Sequence, residues 1–198
     1  MAELINDNNG NDGKVFPKEP CDKRLLLGSL KDYQPSGVVM GVEKVVAPKM
    51  GQYGKVNIPI ILTILGSMPK CRLYNLDENG QYQEYEDERT GEKRLDVIID
   101  DGQLKTVFFP FYAVPKGEGL DENTTLYIAP GTSSYPLFKE ALIEAEELPA
   151  DMGRQAFNTT FAELKSALEG FEFLGKYAQG GTKNKFDYLD VERVDLDG

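Results

Sequence analysis

The sequence predicts a mainly β protein, a small barrel with a helical connection before its last two strands. Three observations lead there. Valine-rich and aromatic runs alternate with Gly- and Pro-rich turns from residue 37 to residue 128. The apolar period then lengthens from two to about 3.6 across "SSYPLFKEALIEAEEL" and "NTTFAELKSALEG". It returns to two in the arms of "GFEFLGKYAQGGTKNKFDYLDVERV".

Residues 1–25 are rich in Asn, Asp, Gly and Lys without a period, and read as a flexible N-terminal arm. Residues 26–198 suffice for one domain. "GVVMGVEKVVAP" is a strand that stops at proline, and "GKVNIPIILTIL" is a second, with Pro59 marking a bulge or an edge. "KCRLYNL" and "QYQEY" flank "DENG" as a hairpin would. "RTGEKR" is a turn into "RLDVIID", and Asp101-Gly102 a turn into "QLKTVFFPFYAV". Alternation puts Phe109 and Phe111 on one face and Phe108 and Tyr112 on the other, leaving open which pair is inside. "TLYIA" is a short strand.

Ser134 sits where an N-cap belongs, with Pro136 in the first turn and Leu137, Ala141, Leu142 and Ala145 on one helical face. Thr160 and Glu163 have capping-box spacing, Phe161, Leu164 and Leu168 form a stripe, and Gly170 suits a helix stop.

The chain of 198 residues is 40% hydrophobic and 28% charged, a composition that folds around a core. Its net charge of -11 argues against a duplex-coating protein, yet leaves room for a local basic groove. Cys21 and Cys71 match no metal or disulfide framework, which points to a reducing, cytoplasmic setting. The opening "MAELINDNNGNDGK" has no apolar signal region, and the apolar runs are too short to span a membrane. There is no histidine, hence no Ser-His-Asp triad, no imidazole base and no His metal site. "DENGQYQEYEDE" lacks calcium-loop spacing, and "GSMPK" and "QGGTK" are not phosphate loops. We therefore expect a non-enzyme without catalytic residues, metal or cofactor.

A helix before the final two strands fits the OB-fold, a five-stranded partly open barrel that binds oligonucleotides on a strand face and through its loops. Residues 125–194 resemble the layout of OB-fold single-stranded-DNA-binding proteins of phages and archaeal mobile elements. The matching pieces are the helix entry "PGTSSYPLFKEAL", the helix running into a Gly-Phe strand "TFAELKSALEGFEF", and the Gly-Lys hairpin "LGKYAQGGTKNKFDYLDVERV". The resemblance implies a cytoplasmic accessory of replication, recombination or repair. It binds single-stranded DNA, works beside replication or recombination proteins, and is open to homo-oligomer formation. It also implies that the loop of Lys176, Lys183, Asn184 and Lys185 touches nucleic acid. The ending "VERVDLDG" departs from the acidic tail with terminal phenylalanine of many bacterial single-strand binders, so tail-mediated recruitment is not expected.

Single strands are held by cations along the phosphates and by aromatic faces on unpaired bases. Lys176, Lys183 and Lys185 flank the Gly180-Gly181 turn, with Tyr177 and Tyr188 as nearby rings. On the earlier strands Arg72 and Tyr74 share a face, as do Lys105 and Phe109, and Lys55 precedes the second strand. The structural alternatives differ by residue. Phe171, Phe173 and Phe186 fit core positions better than stacking platforms, Tyr177 and Tyr188 fit either, and lysines at a turn also describe a solvated tip. Residues 77–101 hold ten acidic and three basic side chains, a face that should point away from nucleic acid. The alternative function is a protein-interaction or assembly module of viral type that uses this acidic surface.

Overall fold

The computed structural model describes residues 4–6, 15–17, 23–25, 27–66, 71–75, 84–95, 97–100, 106–182 and 186–194. Among them the elements run β1 (Leu4–Asn6), β2 (Val15–Pro17), β3 (Lys23–Leu25), α1 (Leu27–Tyr33), β4 (Val38–Val45) and β5 (Lys49–Met50). A 3-10 turn (Gln52–Gly54) leads to β6 (Val56–Ile64), β7 (Cys71–Asn75), β8 (Glu84–Glu86), β9 (Lys93–Leu95), β10 (Val97–Asp100) and β11 (Thr106–Lys116). The chain closes with β12 (Thr125–Ile128), α2 (Tyr135–Glu144), β13 (Phe157–Thr160), α3 (Phe161–Leu168), β14 (Glu172–Ala178) and β15 (Tyr188–Arg193). Within the segment read as an arm, β1 pairs with β2, and β3 lies in the main sheet.

The protein is mainly β, with a curled sheet that forms an open half-barrel. Its path is β10-β7-β3-β11-β6-β4-β14-β15, with β5 joining β6, and β12 and β13 continuing from β11. The pairings are antiparallel except β3 with β11. Among the described residues eleven strands make up this sheet where five were expected: β7 and β10 come from the segment between β6 and β11, β3 from before β4, β5 from between β4 and β6, and β12 and β13 from the connection after β11. β7 pairs with β3 and β10, and β8 pairs with β9 across the "RTG" turn, while the expected "DENG" turn lies outside the described residues. Side-chain alternation alone cannot choose among several short strands as partners.

The order β14-β4-β6-β11 is a Greek key, in which the fourth strand returns to lie beside the first. The returning connection carries α2 and α3, and β15 then extends the sheet from β14. β4 slips register against β6 between Val42 and Lys44, a bulge that bends the strand. The Thr63 hydroxyl donates to Glu43 Oε2 at 2.8 Å beside the bulge.

The core explains the pattern. Val56, Ile58, Ile60 and Leu62 of β6 meet Met40 and Val42 of β4, Phe111 of β11, and Phe173 of β14. Leu137, Phe138 and Ala141 of α2 and Leu164 and Leu168 of α3 complete the same cluster. Each of these side chains larger than alanine contributes about 1.5–3 kcal/mol on burial. β6 is buried along nearly its whole length on both faces, which is why it reads as a continuous apolar run.

Both helix starts are where the sequence put them, by different chemistry. Thr160 caps α3 in a capping box: the Glu163 N–H donates to Thr160 Oγ1 at 3.2 Å and the Thr160 N–H to Glu163 Oε2 at 2.8 Å. These bonds, the backbone one first, hold the Glu163 carboxyl below its ordinary range. Gly170 ends the turn after α3 at φ +85°. Ser134 is the N-cap residue of α2, but its hydroxyl donates to the Tyr112 carbonyl at 2.6 Å, tying the helix to β11 instead of capping it.

Candidate functional site

The last hairpin is built on core residues. Phe173 of β14 and Leu189 of β15 are fully buried, and a Cβ at Gly175 would lie 3.1 Å from Leu189 Cδ1. On the other strand face, Lys176 does not offer a bare charge. Its ammonium donates to both carboxylate oxygens of Glu192 at 2.8 Å. Tyr188, opposite Ala178, is half-buried, and the Asp190 carboxylate accepts the Val191 N–H at 3.1 Å.

Beyond Ala178 the loop is cinched. The Tyr177 hydroxyl donates to Asp187 Oδ2 at 2.6 Å, and the Gly180 N–H donates to Asp187 Oδ1 at 2.7 Å. Lys31 of α1 places its ammonium 5.4 Å from the centre of the Tyr177 ring. The Asp187 carboxyl is held below the ordinary aspartate range, first by the Tyr177 hydroxyl, then by the Gly180 N–H, with the Lys31 charge adding. Gly180 approaches the returning backbone so closely that a Cβ there would lie 2.7 Å from the Phe186 carbonyl carbon. Phe186, expected in the core, is 73% exposed. It lies outside the β15 ladder, so strand alternation does not govern it.

The other expected site residues scatter. Lys105, Lys183, Asn184 and Lys185 lie outside the described residues. Arg72 and Tyr74 stand in β7, which β3, β11, β6 and β4 separate from the last hairpin along the sheet. Phe109 is half-buried and packs on the core, its ring centre 5.0 Å from that of fully buried Phe111. That decides the inward pair on β11 and leaves Phe109 little face to offer. Lys55 is exposed at the foot of the β5–β6 turn, whose tip carries Tyr53 at φ +60° and 82% exposure.

A second cluster forms around Lys55. Ala113 pairs with Val56, the residue after Lys55. Val114 pairs with Tyr127, and Tyr127 with Asn158. One row of Val114, Tyr127 and Asn158 thus crosses three strands about 4.8 Å apart, and these three and Lys55 are exposed. The Lys116 ammonium stands 5.5 Å from the Tyr127 ring centre. Sequence reasoning missed Val114, Lys116 and Tyr127. A signal existed in "TLYIA", where burying Leu126 and Ile128 sends Tyr127 outward.

The acidic hairpin is a sheet of its own among the described residues, with β8 paired to β9, and Glu84, Tyr85, Glu86, Glu88 and Glu92 are exposed. Among the described residues no group of three or more His, Cys, Asp or Glu could hold a metal ion, and no helix is long and apolar enough to cross a membrane. No protein-family profile, curated protein or solved structure matches the chain.

Proposed function

We propose that the protein binds single-stranded DNA without catalysis and with low sequence specificity, on a barrel of OB type. The observation that carries this reading is the Greek key β14-β4-β6-β11 with β15 added, at one end of whose β6–β11 pair lie the exposed Lys55, just before β6, and Val114 of β11 paired with Tyr127 of β12. An OB barrel takes oligonucleotides on the face of its second and third strands and through the loops joining its first two and last two strands. Here those are β6 and β11, the loop with Tyr53, and the loop with Phe186. Lys55 and Lys116 would track phosphates while the tyrosines stack on bases. Work beside replication or recombination proteins, alone or as a homo-oligomer, fits that activity.

Fluorescence anisotropy with labelled single strands, duplex and RNA side by side tests it. Single strands should bind far better than duplex, since stacking needs unpaired bases. Lys55→Ala with Lys116→Ala should weaken binding and flatten its log-log salt slope by up to about 1.4. Equal affinity for duplex, or none for either at low salt, overturns the reading.

The exposed acidic hairpin β8–β9 favours a second reading, an assembly module that docks a basic partner. Its mark would be an interaction lost on reversing Glu84 and Glu86 to lysine in a protein that ignores single strands.

A further inference from the structure

We infer that Tyr53 is the residue whose ring takes an unpaired base, and that its turn accepts an unfavourable backbone conformation to put it there. This rests on the single-strand-binding reading and names one contact within it. An exposed aromatic alone means little. This one occupies a position that disfavours its kind. Tyr53 lies at φ +60° and ψ +29°, and Gly54 follows at φ +67°. The Lys55 N–H donates to the Gln52 carbonyl at 3.4 Å across them. Positive φ at both central residues is the signature of a type I′ turn, where Asn, Asp and Gly predominate. A bulky side chain there crowds its own backbone. A buried ring could offset that cost by packing. Tyr53 is 82% exposed, so the fold gains little from its ring. Strain kept without a packing return points to use by a ligand.

The turn is ordered before any ligand arrives. The Gly51 N–H donates to the Lys55 carbonyl at 2.7 Å, and β5 pairs with β6 through Lys49 with Asn57 and Met50 with Val56. A ligand that stacks on the ring therefore does not bear the cost of ordering the loop. Charge selects the ligand. Residues 44–66 hold three lysines and no Asp or Glu, in a chain of net charge -11. Lys55, two residues from Tyr53, is exposed as well. A flat neutral face beside a cation, with no carboxylate side chain in the same stretch, fits a base and its phosphate.

The chain has no tryptophan, so Tyr53→Trp installs a unique emitter at the tip of the turn. With oligo(dT) as probe, its emission should be quenched on saturation. Tyr53→Asn suits positive φ but has no ring. It should weaken oligo(dT) binding about 5- to 150-fold with the salt slope unchanged. Its melting temperature should equal or exceed the parent's, because the crowded side chain is gone. Tyr53→Phe, which keeps the ring, should keep most of the affinity. If the parent binds oligo(dT) while Tyr53→Asn binds equally well, or the tryptophan emission does not change, the inference is wrong and the binding reading stands. A lower melting temperature in Tyr53→Asn would make the ring a structural support. Loss of affinity with a flatter salt slope would make it a support for phosphate contacts. Either result overturns the inference. If the parent does not bind oligo(dT), the binding reading falls and takes this inference with it.

Discussion

Two hairpins of this protein share a design and differ in what they rest on. In β8–β9, the Asp87 carboxylate accepts the Arg89 N–H at 3.0 Å and the Asp87 carbonyl accepts the Gly91 N–H at 2.7 Å. In β14–β15, Asp187 plays a comparable part with Gly180 and Tyr177. The first hairpin pairs with no other strand among the described residues, and its described side chains from Glu84 to Lys93 are exposed, Asp87 half-buried. The second pairs with β4 and plants Phe173 and Leu189 in the core. Local bonds specify a turn in both. Only the anchored one draws on the core for its stability, whereas an isolated two-stranded hairpin is marginal in water.

The contrast can be broken from its strong end. Phe173→Ala should destabilise the whole protein by about 3–5 kcal/mol, measured by denaturant melting, because it empties a fully buried site that β14 shares with β4 and α3. Gly180→Ala should cost about 1–3 kcal/mol, since its new methyl meets backbone rather than a yielding side chain. Separating Lys176 from Glu192 by Glu192→Gln should cost about 0.2–1 kcal/mol, and less in high salt. Tyr85→Ala in the acidic hairpin should stay within about 0.5 kcal/mol of the parent, because Tyr85 is exposed although it is also an aromatic in a strand.

Acid sharpens the same comparison. The folded pKa of Asp187 lies below its ordinary 3.8, so its stabilising contribution is complete above that value and is lost as pH falls through the folded pKa. The Gly180 amide chemical shift should therefore hold steady through mild acid and titrate only below 3.8.

What could be read in advance was local. The α3 cap needs only Thr160 and Glu163, three residues apart, and its geometry follows from that spacing. Phe171 and Phe173 alternate into the core as a strand requires. What could not be read depends on register. Lys176 meets Glu192 only after β14 and β15 align, and Ser134 finds the Tyr112 carbonyl 22 residues away. Phe109 turns inward because β11 pairs with β6 in one of two parities, and no composition rule selects between them. α1 went unread because seven residues carry too little period, and burial of Leu30 supplies what propensity lacks. Phe186 misled because the strand rule was extended past the end of the strand.

The seam between β4 and β14 has a consequence for the chain as it is made. Gly41 pairs with Glu172, so β4 emerges from the ribosome long before its second neighbour exists. At about 5–20 residues per second, that wait is on the order of ten seconds. β6 follows β4 closely and can cover one side of it at once. The other side remains a bare valine-rich edge, the kind of surface that recruits chaperones or other nascent chains. Chains stalled before residue 172 should thus protect the β4–β6 ladder from hydrogen exchange while leaving the half-barrel unfinished.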